Sequence, residues 1–122
     1  MTSAQCVTVD LPFPPSANRL WRHAGIGKAY KSAEYKAWLT EAGYKARQQA
    51  KGHVAGCYAL RVIAGPPDRR KRDLDNLLKP ISDLIEGLGL IEGDHLCQRI
   101  EAEWSSTVSG VRVFIISTER AA

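Results

Sequence analysis

Residues 57–94 read CYALRVIAGPPDRRKRDLDNLLKPISDLIEGLGLIEGD, and this stretch decides the fold. Tyr58, Leu60 and Val62 alternate with Cys57, Ala59 and Arg61 as far as Ala64, the period-two pattern of a half-buried strand. Gly65, Pro66 and Pro67 close that strand. From Leu74 the period changes. Leu74, Leu77, Leu78, Ile81, Leu84, Ile85 and Leu88 fall at offsets 0, 3, 4, 7, 10, 11 and 14, which predicts a buried helix beginning near residue 74 and ended by Gly87 and Gly89. Pro80 predicts a kink or a tight start. Proline within a helix costs up to about 3 kcal/mol, but less in the first turn, where fewer hydrogen bonds exist to lose.

The same two periods organise the flanks. Val7, Val9 and Leu11 alternate with Cys6, Thr8 and Asp10 as a strand that stops at Pro12. Pro12, Pro14 and Pro15 hold an extended connection, and Ser16 to Lys31 reads as a basic loop with aromatic content. Ser32 is the expected N-cap of a helix over residues 33–50, with Tyr35, Trp38, Leu39, Ala42, Ala46 and Ala50 at helical spacing. Leu96, Ile100 and Trp104 outline a strand expected to pair, through a turn near Ser109 and Gly110, with Val111 to Ser117. Trp38 and Trp104 are expected in the core. The expected fold class is α/β of the α+β type, a small mixed β-sheet with two packed helices in the order β-α-β-α-β-β. A chain of 122 residues suits one domain over residues 1–122.

Composition excludes several classes. Hydrophobic residues make up 44% and charged residues 25%, which excludes a disordered or collagen-like chain. Apolar runs are no longer than Val113–Ile116, against the ~18–20 residues of a membrane helix, and residues 1–15 lack the features of a signal peptide, so the expectation is no membrane and a cytoplasmic protein. Cys6, Cys57 and Cys97 form neither a disulfide framework nor a zinc pattern and are expected as small buried hydrophobes. The net charge of +4 is unevenly spread: residues 16–53 carry +6 and residues 69–79 carry +3, while residues 80–122 carry −4. Such a basic half suits a polyanion, nucleic acid foremost, although a solvated face has the same composition.

The chemistry sits where the basic run meets the helix. Asp73 and Asp75 stand two apart in Asp73-Leu74-Asp75-Asn76-Leu77, and Lys79 lies four residues beyond Asp75. On a regular helix such carboxylates diverge, but at an extended-to-helix junction both can point into one cleft. Asp73 is then on the extended side and Asp75 near the N-cap. Asp94, after the glycine-rich helix end, could return to the pair, so that three carboxylates converge. Clustered carboxylates raise one another's pKa unless a cation neutralises them, and all-oxygen ligation suits Mg²⁺ or Mn²⁺. Structural roles fit the spacing too: Asp75 as an N-cap, Asp73 as a partner of the arginines, Asp94 as a turn residue. His95 is a further candidate for metal or proton transfer, and Trp21 and Tyr30 for base stacking or packing.

These residues resemble the RusA family of Holliday junction resolvases of bacteria and their prophages. Leu11-Pro12-Phe13-Pro14-Pro15-Ser16 with Asn18, Arg19, Arg22 and His23 is similar to the family's opening motif. Residues Pro67 to Leu77, with Lys79 and Asp83, resemble its most specific block, and Asp94 stands where the family has a third acid. The resemblance implies that Asp73, Asp75 and Asp94 are catalytic metal ligands and Lys79 the catalytic lysine. It further implies a mixed α/β fold, a homodimer, a Mg²⁺ requirement with Mn²⁺ as substitute, no small-molecule cofactor, and paired symmetric nicks in four-way junction DNA. Ala17 and Gly93 depart from the pattern without removing a ligand. Arg69, Arg70, Lys71 and Arg72, with Asn18, Arg19, Arg22 and Lys28, are the expected DNA contacts, and affinity should fall by roughly 0.9 log units per neutralised phosphate per decade of salt. Two other classes fit the same residues: a branched-DNA nuclease of little selectivity, and a junction-binding module without catalysis.

Overall fold

A computed structural model describes residues 3–16, 20–23 and 29–119. The strands are β1 (Cys6–Leu11), β2 (Trp21–His23), β3 (Ala29–Lys31), β4 (Tyr58–Ala64), β5 (Cys97–Trp104) and β6 (Val111–Ser117), and the helices are α1 (Ala33–Gln49) and α2 (Leu78–Gly87). Short 3₁₀ turns at Leu74–Leu77 and Asp94–Leu96 flank α2. No helix among the described residues is long and apolar enough to cross a membrane.

Four strands form one sheet in the order β1-β6-β4-β5, with β4 antiparallel to β6 and parallel to β5. The mixed sheet with two helices agrees with expectation, but the pairing of its last two strands does not. Strands β5 and β6 are not partners, because β4 lies between them. The reason is burial: β4 presents Tyr58, Leu60, Val62 and Ala64 fully buried, whereas β5 carries Arg99, Glu101 and Glu103 on one face and suits an edge. A parallel partner requires a crossover, and α2 supplies it, laid against the sheet. The six residues from Ser105 to Gly110 must then pass over the end of β4. There Ser105 N–H donates to Ala64 O (2.8 Å), and Gly65 N–H to Gly110 O (2.8 Å).

One sheet face is covered. Val7, Val9, Leu11, Leu60, Val62, Val111, Val113 and Ile115 pack against Tyr35, Trp38, Ala42 and Ala46 of α1 and against Leu77, Ile81, Leu84 and Ile85 from the α2 side. Each large aliphatic side chain so buried contributes about 1.5–3 kcal/mol. Ser32 caps α1 as expected, its Oγ accepting from Tyr35 N–H (3.1 Å). Pro80 falls in the first turn of α2, after the 3₁₀ turn, which is the tight start its missing N–H favours.

Three expectations need correction. Residues 16–31 are not simply a loop: Trp21–His23 and Ala29–Lys31 pair as an antiparallel ribbon, each strand too short for alternation to be read, with Trp21 and Tyr30 its strand-favouring residues. Trp104 is 36% exposed, since β5 is an edge, although its ring stacks on Phe13 with centroids 6.2 Å apart. Cys6 is exposed, on the outward face of β1, and Cys57 and Cys97 are only half-buried.

Candidate active site

The segment that leaves β4 is organised by a residue whose role the sequence did not announce. Asp68 Oδ1 accepts from Arg70 N–H (3.0 Å), and its two oxygens accept from Arg70 Nε (3.1 Å), Arg72 Nε (3.4 Å) and an Arg72 terminal nitrogen (2.9 Å). The Arg72 hydrogen bonds, and then the Arg70 backbone N–H, hold the Asp68 carboxyl well below the usual carboxylate range. Arg72 also lies 5.4 Å from the centre of the Phe13 ring, the ring that stacks on Trp104. Arg70 and Arg72 are therefore folded around one carboxylate. Arg69 and Lys71 are exposed and make no hydrogen bond or ion pair among the described residues.

A group whose folded-state pKa is depressed stabilises its structure above the unfolded value and loses that contribution as pH falls through the folded value. The Asp68 clamp is thus expected to stay closed on acidification through the ordinary carboxylate range, opening only below it. A carbon-13 titration of the Asp68 carboxyl checks this, and a midpoint at the usual aspartate value would mean that the clamp is open in solution.

Beyond the clamp, Asp73 has extended backbone (φ −87°, ψ 127°) and occupies the cap position of the 3₁₀ turn, and Asp75 lies within that turn. The expectation for Asp73 holds, while the cap position goes to Asp73 rather than Asp75. Neither acts as a cap or an arginine partner among the described residues: the turn has no side-chain cap hydrogen bond, and neither carboxylate makes a hydrogen bond or ion pair with them. Asp73 lines a cleft of about 590 Å³ together with Phe13, Ser16, Trp38, Lys71 and Asn76. Trp38 is fixed there by its Nε1–H donating to Pro12 O (3.0 Å).

Lys79 lies one turn along, but its Nζ is bonded to Asp83 Oδ1 (2.9 Å) rather than to either acid of the pair. That hydrogen bond is the largest cause of an upward shift in the Lys79 pKa, with Asp94 and Glu86 adding smaller electrostatic contributions. Asp94 follows α2, and its N–H donates to Glu86 Oε1 (2.9 Å) in the last turn of that helix. Asp94 and Glu86 also contribute, after burial and Cys97, to raising the pKa of buried Tyr58.

Asp73 and Asp75 thus enter from one end of α2 and Asp94 from the other. Among the described residues no three acidic, His or Cys side chains stand close enough to hold a metal ion, so the expected three-way convergence is not formed. Helix α2, ten residues and roughly 15 Å long, separates Asp75 from Asp94 in the chain, and like charges oppose their approach. The donor chemistry does fit a hard divalent cation, through carboxylate oxygens that accept no hydrogen bond among the described residues. Asn18, Arg19, Lys28 and the side chain of Arg22 lie outside the described residues. Among the neighbours, Asp68, Glu86 and Tyr35 escaped sequence reading; only the four-residue spacing of Lys79 and Asp83 was visible there.

Comparison with known proteins supplies the remaining information. The family model described as Endodeoxyribonuclease RusA matches residues 12–116. The chain is 33% identical over 111 residues to the crossover junction endodeoxyribonuclease RusA of Aquifex aeolicus (strain VF5), a match covering 85% of this chain and 86% of that one. It is 31% identical over 118 residues to the protein of the same description from Enterobacteria phage HK97, covering 89% and 91%. The corresponding protein of Enterobacteria phage 82 is 37% identical over 86 residues, covering 66% and 68%.

Proposed function

Because the chain belongs to the RusA endodeoxyribonuclease family, we propose that it resolves Holliday junctions in the cytoplasm, by paired symmetric nicks in opposing strands, during DNA recombination and repair. The observation that carries this reading is that the carboxylates of Asp73, Asp75 and Asp94 have no hydrogen-bond or ion-pair partner among the described residues, next to a helix whose first turn holds Lys79. Asp68 and Asp83 are engaged by neighbouring cations, so carboxylates left open in the same neighbourhood are available to a ligand.

The carboxylates of Asp73, Asp75 and Asp94, which do not converge in the structure, would have to be drawn together to hold Mg²⁺, or Mn²⁺ in its place, and the ion would supply an activated water and charge stabilisation at the leaving oxygen. The Lys79 ammonium adds positive charge where the phosphorane develops. Arg69 and Lys71 are free to follow the strand phosphates, and Arg70 and Arg72, fixed around Asp68, present the rest of that basic run in a set orientation. Asn18, Arg19, Arg22 and Lys28 are proposed as further DNA contacts. A second copy related by a two-fold axis places an equivalent site against the opposing strand, which accounts for paired cuts.

The direct test is cleavage of a synthetic mobile four-way junction beside linear duplex, with Mg²⁺ or with EDTA. The expected outcome is paired nicks in the junction with Mg²⁺, none with EDTA, and none in the duplex. Equal cutting of duplex would replace this reading with a general nuclease, and tight binding without cutting in any metal would replace it with a binding module.

A further inference from the structure

The pairing of Lys79 with Asp83 looks at first like an ordinary surface ion pair four residues apart on a helix. Such pairs contribute little in general, because two flexible side chains must be held in one geometry. This pair differs in its third member. Tyr35, fully buried in α1, donates its hydroxyl proton to Asp83 Oδ2 at 2.7 Å, while Lys79 Nζ takes Asp83 Oδ1 at 2.9 Å. The two carboxylate oxygens are thus engaged by different helices, and Asp83 is tied to the rigid side.

Tyr35 is itself enclosed and bonded at both ends. Its ring stacks beside Trp38 with centroids 6.4 Å apart, its N–H is held by the Ser32 cap, and it belongs to the buried cluster under the sheet. Rigidity therefore passes from the core through a hydroxyl and a carboxylate to an ammonium whose own side chain is 55% exposed. The charges that also act on that ammonium are Asp94 and Glu86.

We infer that Asp83, anchored by Tyr35, is a positioning residue that sets where the Lys79 ammonium stands relative to the scissile phosphate. This rests on the resolvase reading, in which Lys79 acts on the developing phosphorane. A fixed cation needs no reorganisation as charge develops, and a misplacement of about 1 Å can cost on the order of 10²-fold in rate. Asp83 touches no reacting atom; it acts through Lys79.

The test compares Asp83→Asn, Asp83→Glu and Tyr35→Phe with the unaltered protein, each in the Lys79 and the Lys79→Met background. For Asp83→Asn the maximal rate at saturating junction is expected to fall about 10- to 10²-fold, with junction affinity unchanged. Tyr35→Phe keeps the packed ring and should show a smaller fall in the same parameter, and Asp83→Glu should recover part of the rate. In the Lys79→Met background Asp83→Asn should have no further effect. Nuclear magnetic resonance of the Lys79 Nζ group in metal-free protein gives a readout independent of cleavage: its order should drop in Tyr35→Phe and in Asp83→Asn while the unfolding midpoint of Tyr35→Phe is kept. Equal losses in both lysine backgrounds, or an unchanged Lys79 signal, would overturn the positioning role. Failure of the unaltered protein to cut junctions would instead overturn the resolvase reading and with it any role in catalysis.

Discussion

Replacement of Asp75 by Asn is expected to abolish junction cleavage while leaving junction binding intact or stronger. The side chain is exposed, caps no helix end and makes no hydrogen bond or ion pair among the described residues, and Asn is nearly isosteric with it. The fold should therefore lose no more than about 0.5 kcal/mol, within the usual range of surface substitutions. Catalysis should lose far more. Removing one carboxylate of the proposed metal set is expected to slow strand cutting on the order of 10³-fold or more, equivalent to about 4 kcal/mol of barrier. Binding should move the other way, because a negative charge beside the phosphates is gone. Single-turnover cleavage and a gel-shift titration on the same junction separate the two effects. Wild-type cutting by this variant would remove Asp75 from the site, and joint loss of binding and of the unfolding transition would make it structural.

The largest effect on stability is expected from Gly65→Ala. Gly65 ends β4 where the connection from β5 to β6 passes over it, and its N–H is committed to Gly110 O (2.8 Å). A Cβ added there would collide with the Val108 carbonyl oxygen, which is backbone and cannot rotate away like a side-chain end. Either the connection lifts or β4 withdraws from its register with β6, in which Ala64 faces Val111. Overpacking of this kind should cost about 3 kcal/mol, lowering the unfolding midpoint by on the order of 10 °C. Thermal denaturation of the purified variant measures it. An unchanged midpoint would mean that the crossing strand connection does not pass as closely as described. Because Gly65 leads directly into Pro66, Pro67 and Asp68, the same variant should also loosen the basic run.

The amino-acid sequence by itself determined the elements whose periodicity reports one buried face: β1, α1, β4 and the apolar stripe of α2, together with the tight start at Pro80. It also singled out Asp73, Asp75, Lys79 and Asp94, since their residue types and spacing are local properties of the chain. Strand order was not legible. An alternating segment says that it has a buried face, but not which neighbour takes its edge, and that choice placed β4 between β5 and β6. Partnership was equally hidden. Tyr35 reaches Asp83 across 48 residues of chain, and only the packing of α1 against α2 brings the hydroxyl to that carboxylate. Nor could spacing reveal that Asp68 gathers two arginines while Asp75 gathers none among the described residues. Whether a carboxylate is occupied or open depends on the three-dimensional positions of all nearby donors, and tertiary packing alone fixes those positions.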